Sequence, residues 1–176
     1  MNILNSISIF GVILTASRSG EARKATWAEI DLNAKIWTLP ASRMKTNLPH
    51  RVPLSSRSIE ILRQQRDMHS EAKLVFPAQR GGILCDTGLT KFLRHHKAHS
   101  SDKDRTATAH GFRSSFRDWA SENGHPRDLA ERALAHIIQN QSEAAYHRTD
   151  LLEQRRDMME KWANHICGVE ELANTI

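Results

Sequence analysis

One stretch restricts the folds open to this chain more than any other: Ala109 to Glu122, where Phe112, Phe116, Trp119 and Ala120 recur at i, i+4, i+7 and i+8. That spacing draws one stripe along an α-helix and cannot be laid on one face of a strand, whose side chains alternate with period two. The same segment carries His110, Arg113 and Arg117 at i, i+3 and i+7, which predicts a cationic row facing away from the aromatic stripe. A core must form under such a helix. At 176 residues and 39% hydrophobic, the chain has material for one compact domain and little room for a second.

The rest of the pattern is also mostly helical. Residues 2–15 read as a buried helix broken around Ser17–Gly20, followed by a short helix with Glu21, Ala22, Ala25 and Trp27. Lys35 to Leu39 alternates as a strand, and His50 to Leu54 reads as its partner across a polar hairpin tip that includes Arg43 to Asn47. Ser55 opens a helix to about His69, with Leu54 and Ile59 spaced as a hydrophobic staple. Further helices are expected over Thr87–His99, 126–134 and 140–147. A long last helix is expected from Asp150, with Glu153 in capping-box spacing and Leu151, Met158, Trp162 and Ile166 turned inward. The fold class expected is mainly α with one small antiparallel sheet, α+β.

Charge narrows the partners. Lys and Arg number 25 against 20 Asp and Glu, with 10 histidines besides, and the isoelectric point is about 9.6. This balance favours a polyanion, nucleic acid first and an acidic membrane second. Cys85 and Cys167 have no metal-ligand spacing, which fits two free thiols in a reduced compartment. The apolar opening from Ile3 to Leu14 is too short to span a bilayer and lacks a basic lead and a cleavage site, so the expectation is a cytoplasmic protein.

Four local features can carry chemistry, each with a plainer reading beside it. His110 and Arg113 suit a phosphodiester, because arginine's planar fork grips two nonbridging oxygens and an imidazole donates once more; alone, H-x-x-R is common and reads as a solvated face. Arg18 stands in a loop just before a helix, where free N–H groups favour anions, and Glu21 either orients it or caps the helix. A surface salt bridge explains that pair equally well. Tyr146 is the single tyrosine, set between Ala144-Ala145 and His147-Arg148 and ten positions after His136. A lone tyrosine is ordinarily a packing residue unless cations converge on it. Lys45, at the hairpin tip, is ordinarily a solubilising charge.

Taken in order, these features resemble the catalytic domain of the tyrosine recombinases, and phage-type or prophage integrases most closely. The resemblance runs from about Leu14 to Ala163. It rests on T-A-S-R-S-G-E-A-R at 15–23, W-A-E-I-D-L at 27–32, M-K-T-N-L-P-H-R-V-P-L-S at 44–55, T-A-H-G-F-R-S-S-F-R-D-W-A at 108–120, L-A-H at 134–136 and A-A-Y-H-R-T-D-L-L at 144–152. Each is weak alone, and six in the family's order are highly specific. The chain departs from the pattern at Ala16, where glycine is frequent, and at Ser19, where proline is frequent.

The resemblance implies an integrase catalytic-domain fold over 1–176 as a single domain, without the core-binding and arm-binding domains that precede it in the family. It implies site-specific recombination of a mobile element through a 3′-phosphotyrosyl intermediate, with no metal and no ATP. By position, the catalytic residues fall on Arg18, Lys45, His110, Arg113, His136 and Tyr146, with Glu21 supporting Arg18. In these roles Arg18 and Arg113 clamp the phosphate with His136, His110 accepts the tyrosine proton and Lys45 protonates the leaving oxygen. The implied partners are double-stranded DNA and other protomers in a tetramer on DNA, in the cytoplasm at the nucleoid and not at a membrane. Two other functions share these features: an inactive remnant that only binds DNA or partner subunits, and a type IB topoisomerase-like enzyme.

Overall fold

A computed structural model of the protein describes residues 9, 11–100, 104–136 and 149–168. Helix α1 covers 11–15 and ends at Ala16, and α2 spans Ser19–Arg23. The expected single helix over Glu21 to Trp27 is in fact α2 and a separate 3-10 turn at Trp27–Glu29, each held at its start by a glutamate three residues on. Glu21 and Glu29 reach back to the backbone N–H groups of Arg18 and Thr26 and close the first turns.

The sheet has three antiparallel strands in the order β1 (Ile30–Asp31), β2 (Ile36–Leu39) and β3 (His50–Pro53). The alternation in Lys35 to Leu39 points to β2, and Trp37 pairs with Val52 while Leu39 pairs with His50. Trp37, Leu39 and Val52 are buried on the inner face, with Thr38 and Arg51 turned outward. Strand β1 is too short to show a period of two, so it escapes the sequence pattern.

Helix α3 (Ser56–Met68) starts where expected. Ser55 accepts from the Ser58 N–H, and Ile59, Ile61 and Leu62 are buried. Helices α4 (Asp86–His95), α5 (Gly111–Glu122), α6 (Arg127–Ala133) and α7 (Leu152–Cys167) follow. The expected helix over 140–147 lies outside the described residues. Helix α4 stops at His95 rather than His99, since Lys97 turns left-handed at φ 49°.

Phe116 of α5 and Trp162 of α7 are buried, with ring centroids 5.4 Å apart and edge-on. The Trp162 indole N–H donates to the carbonyl of Ile13 at 2.8 Å, so α7 closes over α1. Aromatic pairs of this kind add about 0.5–1.5 kcal/mol beyond the area they bury. Helix α7 also crosses β3, and α5, α6 and α7 pack on one another. Among the described residues, no helix is long and apolar enough to cross a membrane.

Two expectations for these helices need correction. Arg113 does not share an outward face with His110 and Arg117: it is buried together with Phe116, Trp119 and Ala120, while His110 and Arg117 are exposed and Phe112 is only partly covered. Steps of about 100° per residue put Arg113 at the border between the two faces, and burial claims it. Asp150 does not cap α7. The N-cap is Leu151, in left-handed backbone, and the Asp150 carboxylate is taken by two arginines instead. The buried residues of α7 include Leu152, Arg155 and Met159 beside Met158 and Trp162, with Leu151 and Ile166 at the edge.

Candidate active site

Arg113 is the centre of the site. It is only 5% exposed, and its guanidinium donates to two main-chain carbonyls, Ala16 after α1 and Leu134 after α6, the latter at 2.6 Å. A buried arginine is tolerable only when its N–H groups find acceptors. Two of the acceptors here are backbone carbonyls, and among the described residues no carboxylate pairs with the charge. Burial, and then the neighbouring Arg18, push the Arg113 pKa down to about 10, against the opposing pull of Glu21 and Glu131. The group therefore stays charged at neutral pH while held beside a like charge.

Arg18 is the N-cap residue of α2. One Glu21 oxygen accepts from the Arg18 guanidinium and the other from the Arg18 backbone N–H, both at 2.8 Å. The carboxylate thus does both things that its spacing allowed: it orients the arginine and caps the helix. Glu21 is nearly buried, with a side chain 9% exposed, whereas that of Arg18 is 33% exposed and reachable. Arg43, from the 3-10 turn Ala41–Arg43, donates to the Glu21 carbonyl at 2.6 Å and pairs with Glu29, which fixes the base of the hairpin against α2.

His136 follows α6, and its Nε2 lies 3.2 Å from an Arg113 terminal nitrogen. Its Nδ1 lies 2.5 Å from Glu131, whose other oxygen is 3.3 Å from Arg117 Nε. The structure therefore brings Arg18, Glu21, Arg113 and His136 into one cluster from α2, α5 and the turn after α6.

His110 and Lys45 are exposed and make no side-chain hydrogen bond to this cluster. His110 is the N-cap residue of α5, where Thr108 rather than His110 satisfies a first-turn donor, accepting from the Gly111 N–H at 2.9 Å. Lys45 follows buried Met44 in the β2–β3 connection. Tyr146 lies outside the described residues.

Three residues of this neighbourhood carry no sequence signal of their own. Glu131 sits five residues before His136, a spacing with no motif behind it. His50 falls inside the 44–55 motif but reads there only as a strand residue; burial and then the nearby Arg155 lower its pKa to about 4, so it is neutral at physiological pH. Arg155, 1% exposed, donates to the carbonyls of Arg51 and Asp150 and tethers the start of α7 to β3.

A helical domain with a three-stranded sheet, and a buried arginine beside a second arginine and a histidine, define a class of protein with a cationic centre able to hold an anion. The comparisons with known proteins sharpen that class. The model of the phage integrase family matches residues 7–151, and the chain belongs to this family. It is 37% identical over 158 residues to prophage integrase IntA of Escherichia coli strain K12, covering 90% of this chain and 38% of that protein. It is 31% identical over 180 residues to the integrase of Enterobacteria phage P4, covering 93% and 40% respectively. The chain thus spans about two fifths of the curated relatives it matches.

Two solved structures share the fold. The integrase from mycobacterium phage Brujita superposes with a TM-score of 0.66 at 19% identity, over 92% of this chain and 52% of that one. XerA recombinase gives 0.64 at 16% identity, over 92% and 58%. The expected recombinase-type catalytic-domain fold is therefore the fold observed.

Proposed function

We propose that this chain is the catalytic domain of a tyrosine recombinase that cleaves and rejoins duplex DNA during integration or excision of a mobile element. The observation that carries the reading is Arg113: a buried cation, held by two main-chain carbonyls and the His136 ring and set against Arg18. An anion between the two arginines relieves their repulsion, and a phosphodiester supplies two nonbridging oxygens for two forks.

In this reading the Tyr146 hydroxyl attacks the phosphorus, its proton passes to His110, and the bond from phosphorus to the 5′ oxygen breaks. Lys45 protonates that oxygen. Charge gathers on the nonbridging oxygens, where Arg18, Arg113 and His136 stabilise it. The products are a 3′-phosphotyrosyl link and a free 5′ hydroxyl. The link keeps the energy of the broken bond, so rejoining requires neither ATP nor a metal. Double-stranded DNA is the substrate, other protomers in a tetramer are the partners, and the bacterial cytoplasm at the nucleoid is the setting.

The test is a duplex with a nick just downstream of the scissile phosphate, which loses its short 5′-hydroxyl fragment and traps the covalent state. The expected result is a denaturant-resistant protein–DNA adduct, absent in Tyr146→Phe. A parent protein that forms no adduct at any salt concentration sinks the proposal for this chain.

A further inference from the structure

Glu131 occupies the inner side of α6 with a side chain 16% exposed, and its two oxygens serve different partners. One meets His136 Nδ1 at 2.5 Å, and the other meets Arg117 Nε at 3.3 Å. The His136 backbone N–H also donates to the Glu131 carbonyl at 3.0 Å. Ring and backbone of the histidine are thus both fastened to one residue.

The protons on His136 follow from its neighbours. Arginine has donors only, so the Arg113 nitrogen 3.2 Å from Nε2 must be donating, and Nε2 must be accepting. The single hydrogen of the neutral ring then sits on Nδ1 and points at the Glu131 carboxylate. A ring in this state cannot donate to a phosphate from Nε2. It can do so only after gaining a second proton and giving up the Arg113 N–H.

We propose that Glu131 is a positioning residue for the phosphate site. It fixes the Nδ1–H form of His136 in the free enzyme. It also supplies the counter-charge that lets His136 accept a proton from solvent as a phosphodiester takes over the Arg113 N–H. His136 then donates Nε2–H to that oxygen. Among the described residues, the charged groups around the ring are Glu131 on α6, Arg113 and Arg117 on α5, and, beyond Arg113, Arg18 and Glu21 on α2. Of these, Glu131 alone is an acceptor in contact with the ring. The catalytic consequence rests on the recombinase reading above, whereas the proton assignment does not.

Nitrogen chemical shifts of the full chain with isotope-labelled histidine read that assignment without DNA, with the His136 signal identified by its loss in His136→Asn. The expected result is hydrogen on Nδ1 in the parent and a shift toward Nε2–H in Glu131→Ala. Hydrogen on Nε2 in the parent overturns the proposal, and this measurement decides even if a variant fails to fold.

The second arm measures single-turnover cleavage of the nicked duplex. Removing the partner that orients a functional imidazole costs about 10–100-fold at metal sites, and a loss of that order is expected for Glu131→Ala. In a His136→Ala background, Glu131→Ala should cost nothing more. An equal further loss there shows a role that bypasses His136 and overturns the proposal. A parent that forms no adduct defeats the recombinase reading instead, and the tautomer comparison still decides the case of Glu131.

Discussion

The Arg113 guanidinium donates to the main-chain carbonyl of Ala16, and Ala16 is itself in left-handed backbone at φ 49°. The second carbonyl belongs to Leu134, directly before Ala135, which is also left-handed at φ 49°. The two turns that cradle the central arginine are therefore both made by alanines in a conformation that costs an L-residue roughly 1–2 kcal/mol and a glycine almost nothing. Ala16→Gly and Ala135→Gly are each expected to raise stability by about 0.5–1 kcal/mol, after allowing for the freer unfolded chain of glycine. Denaturant unfolding checks this as a higher midpoint at unchanged slope. A lower midpoint in either variant means that the left-handed turn is not the strained feature.

Asp150 holds a second arginine that burial leaves exposed to loss. Its carboxylate takes two bonds from Arg51, at 2.7 and 2.8 Å, and a third from Arg155 at 3.2 Å. Burial alone pushes the Asp150 carboxyl up, but the bond from Arg51 and the charges of Arg155 and Arg51 outweigh it and hold the group below its ordinary value of 3.8. The carboxylate thus contributes stability that is present above that ordinary value and lost as pH falls through the lowered one. Asp150→Asn leaves the Arg155 charge buried without its partner. Because the Asp150 side chain is 37% exposed, a loss of about 1–3 kcal/mol is expected, below that for a wholly buried pair. Arg155→Met, which removes the buried charge itself, is expected to cost less than Asp150→Asn, and thermal unfolding of both ranks them.

How much of this was legible in the chain depends on the range of the interaction. Helix α5 and strand β2 announce themselves because their periods lie within a dozen residues, and Glu21 is readable because Arg18 is three positions away. The same local reading misplaces Arg113, since its burial is decided by carbonyls 97 and 21 positions distant in sequence. Asp150 looks like a helix cap for the same reason: its competing partner Arg51 is 99 positions back. Order along the chain identified Arg18, Arg113 and His136 as candidates, and folding gathers these three with Glu21. Nothing local marks Glu131 or His50, whose roles arise only when α6, β3 and α5 meet.

The Arg113 site is specific for a fork. Arg113→Lys keeps the positive charge but offers a single nitrogen where the guanidinium uses two, one on Ala16 and the other on Leu134 and His136. The variant is expected to lose about 1–3 kcal/mol of stability through the unsatisfied carbonyl. It should form little or no covalent adduct with the nicked duplex while keeping most of its salt-dependent DNA affinity. Adduct formation at the parental rate would show that charge alone suffices and that the bidentate geometry is dispensable.

His50 makes the fold sensitive to mild acid. Its imidazole, lowered to about 4 by burial and by Arg155, is neutral in the native state down to that pH, whereas the unfolded chain takes up the proton near 6.5. Above 6.5 both states are neutral and His50 adds no pH dependence. Between 6.5 and about 4 the unfolded state binds more protons, so stability falls with falling pH, by up to about 3 kcal/mol for the full shift. The loss falls where β3 comes near the end of α6, because the His50 ring lies close to the backbone of Ala133, two residues before the left-handed turn that presents His136. Urea midpoints measured every half unit across this window should slope steeply in the parent and less steeply in His50→Gln. Parallel slopes in the two proteins would place the acid sensitivity in the carboxylates alone and remove His50 as its source.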